Sequence, residues 1–150
     1  MAGIGNLFFG DDGFGPEVVR RLVAQEPMPD EVRVVDYGIR GMHLAYDLLD
    51  GYDALVLVDA LPVGEVPGDV TVLEVGEDDL GSGDFDPHGM DPVAVLASLH
   101  QLGGKLPPTY VVGCRPESLE EGIGLSEPVA AAVPQGMAAV QGLLRERVVV

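Results

Sequence analysis

Two adjacent carboxylates, Asp11 and Asp12, lie in the glycine-rich stretch GNLFFGDDGFG near the start of the chain. The glycines are typical of a phosphate-binding turn, but the stretch contains no lysine, serine or threonine. The third glycine of the dinucleotide-binding pattern is also missing. Two carboxylates at the start of a helix would repel a pyrophosphate. We therefore expect no phosphate here: Asp11 is expected to complement the helix dipole, and Asp12 to be available for chemistry.

Two further side chains in the sequence suit the same chemistry. Asp59 closes the apolar run ALVLVDAL, where a carboxylate is costly to bury unpaired, so it is either a functional residue or a cap on nearby backbone N–H groups. His88 lies in the loop sequence DPHGM, where a histidine is either a ligand or an ordinary surface residue. Two carboxylates and one imidazole can hold a divalent transition metal. Asp12, Asp59 and His88 are therefore candidate metal ligands.

These residues would be positioned by strands that alternate with helices. Strand-like patterns cover residues 31–38, 54–61, 69–75 and 109–114, and helical spacing covers 16–25, 41–49, 92–102 and 127–147. Pro134 is expected to break or kink the last helix. The alternation predicts an α/β three-layer sandwich, a mostly parallel twisted sheet of about five strands with helices on both faces. Ligands in such folds bind at the carboxyl ends of the strands, where all three candidates fall.

The first strand is the weak point of this prediction. Only residues 1–4 precede the glycine-rich turn, so the strand is expected to be very short or largely missing. A missing strand would leave unpaired backbone groups beside the central strands, and a partner would have to cover them.

Length and composition set the remaining bounds. A chain of 150 residues predicts one domain, spanning residues 1–150, and a net charge of −17 disfavours nucleic acid and anionic membranes as partners. Cys114 is the only cysteine, which excludes an intrachain disulfide and a cysteine-based zinc site. With no apolar run of about 20 residues and no visible secretory signal, we expect a cytoplasmic protein.

A series of motifs covering essentially the whole chain resembles the hydrogenase maturation endopeptidases. In order, the motifs are GIGNLFFGDDGFG, VDYGIRGMHL, ALVLVDAL, PHGM and CRPESLEEGIGLSEPV. The resemblance implies a protease that removes a short C-terminal extension from the precursor large subunit of a nickel–iron hydrogenase after nickel has been inserted. The metal-contacting positions of that family correspond to Asp12, Asp59 and His88.

The resemblance also implies how the metal is used. Nickel would be carried by the substrate as a recognition element, with cadmium or zinc able to substitute in vitro. Asp12 and Asp59 would be catalytic as well, and two hypotheses stay open. In one, the metal polarises the scissile carbonyl or activates water. In the other, the metal only positions the peptide while a carboxylate assists water attack.

Other expectations concern substrate binding and assembly. Gly38, Arg40 and Gly41 are expected to line the substrate groove, although relatives commonly carry Gly-Thr where this chain has Gly38-Ile39. Arg40 would anchor a substrate carboxylate, or alternatively form a surface salt bridge. The protein is expected to be a monomer or weak dimer. Alternative functions are a non-cleaving, nickel-dependent binding or chaperone relative, a nucleotide-binding α/β module, and a peptidase of the same fold with another substrate.

Overall fold

Five strands and four α-helices are found in the residues that the computed structural model describes, namely 1–25, 27–76 and 92–148, and they alternate except that β4 follows β3 directly. The strands are β1 (Ala2–Ile4), β2 (Val35–Gly38), β3 (Leu55–Ala60), β4 (Val70–Val75) and β5 (Thr109–Cys114). The helices are α1 (Phe14–Gln25), α2 (Gly41–Leu48), α3 (Pro92–Gln101) and α4 (Glu127–Leu143). A 3-10 turn, Gly10–Gly13, precedes α1, and a π-helical turn, Leu144–Val148, follows α4.

The strands form one sheet in the order β2-β1-β3-β5-β4. All neighbouring pairs are parallel except β4 and β5, so the predicted mostly parallel sheet is confirmed, with β4 at one edge. Strand β1 is short, as expected, yet it lies between β2 and β3: Ala2 is in register with Val35 on one side and Leu57 on the other. The expected gap beside the central strands is therefore closed by β1 itself and requires no partner.

Side-chain alternation along the central strands separates two apolar layers. On β3, Val56 and Val58 pack with α1 and α4, whereas Leu55 and Leu57 pack with α2 and α3. Each face of the sheet is therefore covered by two helices, and the predicted three-layer sandwich is confirmed.

Helix α1 is held against the sheet at a position that only glycine can occupy. A Cβ atom on Gly15 would lie 2.2 Å from the carbonyl oxygen of Val58 and 2.5 Å from that of Ile4. The first turn of α1 therefore rests directly on the backbones of β1 and β3. This contact fixes the preceding glycine-rich turn at the carboxyl ends of these strands.

Strand β2 and helix α4 differ from their predicted extents by more than two residues. Strand β2 begins at Val35 rather than residue 31, because its pairing with β1 starts at Ala2 and Val35. Helix α4 does not break at Pro134 but continues to Leu143. A proline removes one helical hydrogen bond, and the burial of Val133 and Met137 on either side of Pro134 keeps the helix packed on the sheet.

Candidate active site

The carboxyl ends of the parallel strands form one edge of the sheet, here called the carboxyl edge. Ile4 is in register with Gly38 of β2, and Gly3 with Val58 of β3, so Asp59 lies at the level where β1 ends. The 3-10 turn that contains Asp12 packs against β3. Three predicted site residues, Asp12, Asp59 and Gly38, are thus on the same edge of the molecule.

Asp12 is partly buried in a turn that folds back on itself. Its Oδ2 atom accepts a hydrogen bond of 2.7 Å from the backbone N–H of Asn6. Gly5 packs so closely that a Cβ atom there would lie 1.8 Å from the backbone oxygen of Asp12. Burial raises the pKa of the Asp12 carboxyl, and the hydrogen bond from Asn6 offsets only part of that effect. A carboxyl group with a raised pKa is suited to take up and return a proton.

Asp59 is almost fully withdrawn from solvent, with 4% of its surface exposed. It is the penultimate residue of β3 and is in register with Gly113 of β5. Strand alternation puts its side chain on the same face as Leu55 and Leu57, the face covered by α2 and α3. A carboxylate buried at the carboxyl end of an apolar strand fits the position predicted for it.

The second predicted turn contacts the first through the backbone. Gly38 has a φ of +56°, and its carbonyl accepts a hydrogen bond of 3.0 Å from the N–H of Gly5. Its own N–H donates to Oδ1 of Asp36 at 2.9 Å. Gly41 is buried and begins α2. Gly38 is therefore joined to the loop that contains Asp12.

Arg40 is exposed, and its guanidinium group turns back onto the end of β2. It donates to the backbone carbonyls of Tyr37 at 3.3 Å and Asp36 at 3.1 Å. Within the described residues it forms no ion pair, so the surface salt bridge considered above is not observed. The role of Arg40 in binding a substrate carboxylate stays a prediction.

Asp11 is fully buried and has a role that the sequence did not indicate. Its carboxylate accepts hydrogen bonds from the backbone N–H groups of Glu117 (2.8 Å), Ser118 (3.0 Å) and Ser126 (2.6 Å). A fourth comes from the Ser126 hydroxyl at 2.8 Å. Burial acts to raise the pKa of Asp11, but the hydrogen bonds from Ser126, Ser118 and Glu117 outweigh it and hold the pKa below its ordinary value. Because Ser126 is the N-cap of α4, Asp11 complements the start of α4, not that of α1 as expected.

Backbone hydrogen bonds join the same two segments, here called the first loop (residues 5–13) and the late loop (residues 115–126). The N–H of Gly10 donates to the carbonyl of Gly122 at 2.9 Å, and the N–H of Gly122 donates to the carbonyl of Phe8 at 2.8 Å. The N–H of Asp11 donates to the carbonyl of Ser118 at 3.0 Å. The N–H groups of Gly10 and Asp11 are thus engaged by protein carbonyls of the late loop.

A sequence profile described as hydrogenase maturation protease matches residues 16–143 of the chain. The chain belongs to this family. The hydrogenase 2 maturation protease of Escherichia coli is 32% identical over 148 residues, which cover 97% of this chain and 90% of the relative. The delta subunit of the coenzyme F420 hydrogenase of Methanothermobacter thermautotrophicus is 32% identical over 153 residues, covering 97% of this chain and 92% of that protein.

Solved structures of hydrogenase maturation proteases share the fold. The structure of the E. coli hydrogenase-maturating endopeptidase HybD superimposes with a TM-score of 0.82 at 31% identity, over 97% of this chain and 90% of that one. The resemblance stated from the motifs is confirmed, and the chain is a peptidase, a hydrolase of hydrogenase maturation.

One predicted ligand of this hydrogenase maturation protease, His88, lies outside the described residues. In the described ranges, no group of three or more histidine, cysteine, aspartate or glutamate side chains is close enough to hold a metal ion. The pair of carboxylates is present at the carboxyl edge, and the three-residue metal site stays a prediction. No helix in the described part of the protease has the length and apolar character needed to cross a membrane.

Proposed function

We propose that this protease removes the C-terminal extension of the nickel-loaded precursor large subunit of a nickel–iron hydrogenase. The observation that supports this most directly is the placement of Asp12 and Asp59 at one carboxyl edge, Asp12 partly buried and Asp59 buried, in a chain of the hydrogenase maturation protease family. Carboxylates in such an environment can contact a cation and assist the attack of water on a peptide bond.

In this proposal the nickel is part of the substrate. Asp12, Asp59 and His88 contact it and leave coordination positions open for ligands that the precursor supplies. The direction of α3 supports the contribution of His88. Gly104, just after α3, packs against the C-terminal end of α2: a Cβ atom there would lie 2.4 Å from Leu99 and 2.8 Å from Leu49. Helix α2 begins at the carboxyl edge and ends at the opposite edge of the sheet. Helix α3 therefore also ends near the opposite edge and begins toward the carboxyl edge. His88 precedes the first residue of α3 by four positions.

The two carboxylates have different roles because their environments differ. Asp12, partly buried and with Oδ2 held by the N–H of Asn6, takes a proton from the attacking water and returns it to the leaving amine. Asp59 contacts the metal and fixes the scissile peptide relative to that water. Gly38, Arg40 and Gly41, on the adjoining turn, bind the extension.

The proposed partner is the precursor itself, met in the cytoplasm by a monomer or weak dimer of the protease. The net charge of −17 repels nucleic acid and anionic lipid and favours basic protein surfaces. Cadmium or zinc would occupy the same carboxylate-containing site in vitro.

The decisive experiment follows the mass of the large subunit after mixing nickel-loaded and nickel-free precursor with the protease. Loss of a C-terminal peptide only from the loaded form is expected, whereas equal cleavage of both forms would refute recognition of nickel. His88→Ala should abolish cleavage, and the matched variant His100→Ala, at an exposed position of α3, should cleave normally. Full cleavage by His88→Ala would remove His88 from the site.

A second candidate function is nickel-dependent binding without cleavage. It is favoured by one observation, namely that a relative covered almost completely by this chain is named as a hydrogenase subunit. This alternative predicts a stable complex with nickel-loaded precursor and no change in the mass of the large subunit.

A further inference from the structure

The first loop and the late loop together expose large apolar side chains to solvent. Phe8 is 62% exposed, Leu7 51% and Ile123 81%. Between these loops, α1 and the first turn of α4 lies a groove of about 390 Å³, lined by apolar Leu7, Phe8, Ile123 and Leu125 and, on its α1 side, by Glu17 and Arg21. Neither Asp12 nor Asp59 is among the residues that line it. The groove is therefore beside the candidate active site and separate from its carboxylates.

The loops that carry these side chains are held in place. The backbone hydrogen bonds between Gly10, Gly122 and Phe8 join them, and the buried carboxylate of Asp11 fixes both ends of the late loop. Gly10 adopts a φ of +57°, and a Cβ atom there would lie 2.9 Å from the carbonyl oxygen of Ser118. Large apolar side chains exposed on a fixed scaffold are characteristic of a surface that binds another molecule.

The charge around the groove indicates the chemistry of that molecule. Glu117, Glu120 and Glu121 are exposed on the late loop, and among the described residues none of them forms an ion pair. On the α1 side of the groove, by contrast, Glu17 is paired with Arg20 at 2.6 Å and with Arg21 at 2.9 Å, so that side carries no unpaired negative charge. The free negative charge on the late loop, in a chain of net charge −17, favours a partner segment that carries positive charge.

We propose that this groove docks a segment of the hydrogenase precursor in which a large apolar side chain is flanked by lysine or arginine. The apolar side chain enters between Phe8 and Ile123, and the basic residues face Glu120 and Glu121. This inference rests on the proposed function, because it takes the precursor as the occupant. The groove holds the precursor during cleavage and takes no part in the reaction itself.

The apolar half of the proposal is tested with Phe8→Ser and Ile123→Ser in the cleavage assay with nickel-loaded precursor. Each variant should raise KM about tenfold, the effect of losing one well-buried apolar contact, and leave kcat within about twofold. The matched control is Val23→Ser, because Val23 is 56% exposed near the end of α1, away from the carboxyl edge. An unchanged KM in both groove variants, or an equal rise in the control, overturns the proposal.

The charged half is tested with the double variant Glu120→Lys/Glu121→Lys. It should weaken binding of the precursor about tenfold at low salt and make the remaining binding less sensitive to added salt. The control is Asp30→Lys/Glu31→Lys, which makes the same charge change in the exposed turn between α1 and β2. Equal weakening in both double variants would mean that only net charge matters and would refute a local site.

The outcomes separate this inference from the proposed function. If the wild-type protein cleaves nickel-loaded precursor and the groove variants do so with wild-type KM, the docking groove is wrong and the function stands. If the wild-type protein neither binds nor cleaves the precursor, the function fails, and the precursor is excluded as the occupant of the groove.

Discussion

The carboxylate of Asp11 accepts two hydrogen bonds from Ser126, one from the backbone N–H at 2.6 Å and one from Oγ at 2.8 Å. These residues are 115 positions apart in the chain. Ser126 is the N-cap of α4, yet its hydroxyl makes no capping bond within its own helix. The side chain that would ordinarily cap α4 instead fixes the loop that contains Asp12.

Asp11→Asn is expected to destabilise the protein substantially. An asparagine presents an NH₂ group to backbone N–H donors that it cannot satisfy, so we expect a loss of about 3 kcal/mol in the free energy of unfolding. Ser126→Ala removes only one of the hydrogen bonds and should cost about 1.5 kcal/mol. Urea denaturation measures both values. A loss in Asp11→Asn no larger than that in Ser126→Ala would contradict the assigned role of Asp11.

The contribution of Asp11 should depend on pH in one direction. Hydrogen bonds outweigh burial and lower the pKa of Asp11 in the folded protein, so its stabilisation is fully present above the ordinary aspartate pKa of about 4. It is lost as the pH falls through the lower pKa of the folded state. The difference in unfolding free energy between wild type and Asp11→Asn should therefore be constant near neutral pH and shrink in acid. A difference in unfolding free energy that grew on acidification would contradict the lowered pKa of Asp11.

Asp12→Asn should reduce activity without reducing stability. We expect a fall of at least about 100-fold in kcat/KM on nickel-loaded precursor, because a carboxylate that transfers a proton is lost. The melting temperature at pH 7 should be unchanged or slightly higher, since burial raises the pKa of Asp12 and the neutral amide avoids burying a charge. The exposed Asp50 provides the control, and Asp50→Asn should retain activity within about twofold. Wild-type rates in Asp12→Asn would exclude Asp12 from catalysis.

Gly15→Ala should disrupt the packing of α1 on the sheet. The added methyl group would lie 2.2 Å from the carbonyl oxygen of Val58, and neither backbone can move without disturbing β1 and β3. We expect a loss of about 3 kcal/mol or more. Gly142→Ala is the matched control, because Gly142 lies within α4 with nothing inside 4 Å of the added atom. It should be neutral or stabilising by about 0.5–1 kcal/mol, and equal effects of the two substitutions would refute the packing argument.

Cys114 should be unreactive in the folded protein. Burial, and then the negative charges of Asp11 and Asp69, raise the pKa of its thiol to about 11. At pH 8 we expect a thiol reagent to modify it at least about 100-fold more slowly than in urea-unfolded protein. Rapid modification under native conditions would show that the end of β5 opens readily.

The sequence predicted the sheet well where its strands are apolar and bounded by turn residues. Strand β5 was predicted at its observed limits, because TYVVGC is rich in β-branched and apolar residues and follows two prolines. The carboxyl edge could be predicted too, because the carboxyl ends of parallel strands lie at one edge of the sheet, where Asp12 follows β1 and Asp59 lies near the end of β3. A break at Pro134 was wrongly allowed for, since a local rule about proline did not include the packing of its neighbours on the sheet, whereas a kink there stays a prediction.

The contacts of Asp11 could not have been found from local patterns. Its four donors lie at Glu117, Ser118 and Ser126, and nothing within a window of the sequence indicates that a carboxylate near the start of the chain is buried against them. The motif PESLEEGIGLS was recognised as characteristic of the family. The sequence alone did not show that this segment and the first loop are in contact. Burial and long-range hydrogen bonding decided the role of Asp11.

The central place of β1 in the sheet has a consequence for biosynthesis. Residues 2–4 are synthesised before their neighbours Val35 and Leu57, and the donors to Asp11, at Glu117, Ser118 and Ser126, follow later still. The nascent chain cannot complete the contacts that hold the first loop until Ser126 has been made. A chain that ends before Ser126 is therefore expected to be inactive. Ribosome-stalled chains of this kind should remain sensitive to proteolytic digestion throughout the first loop.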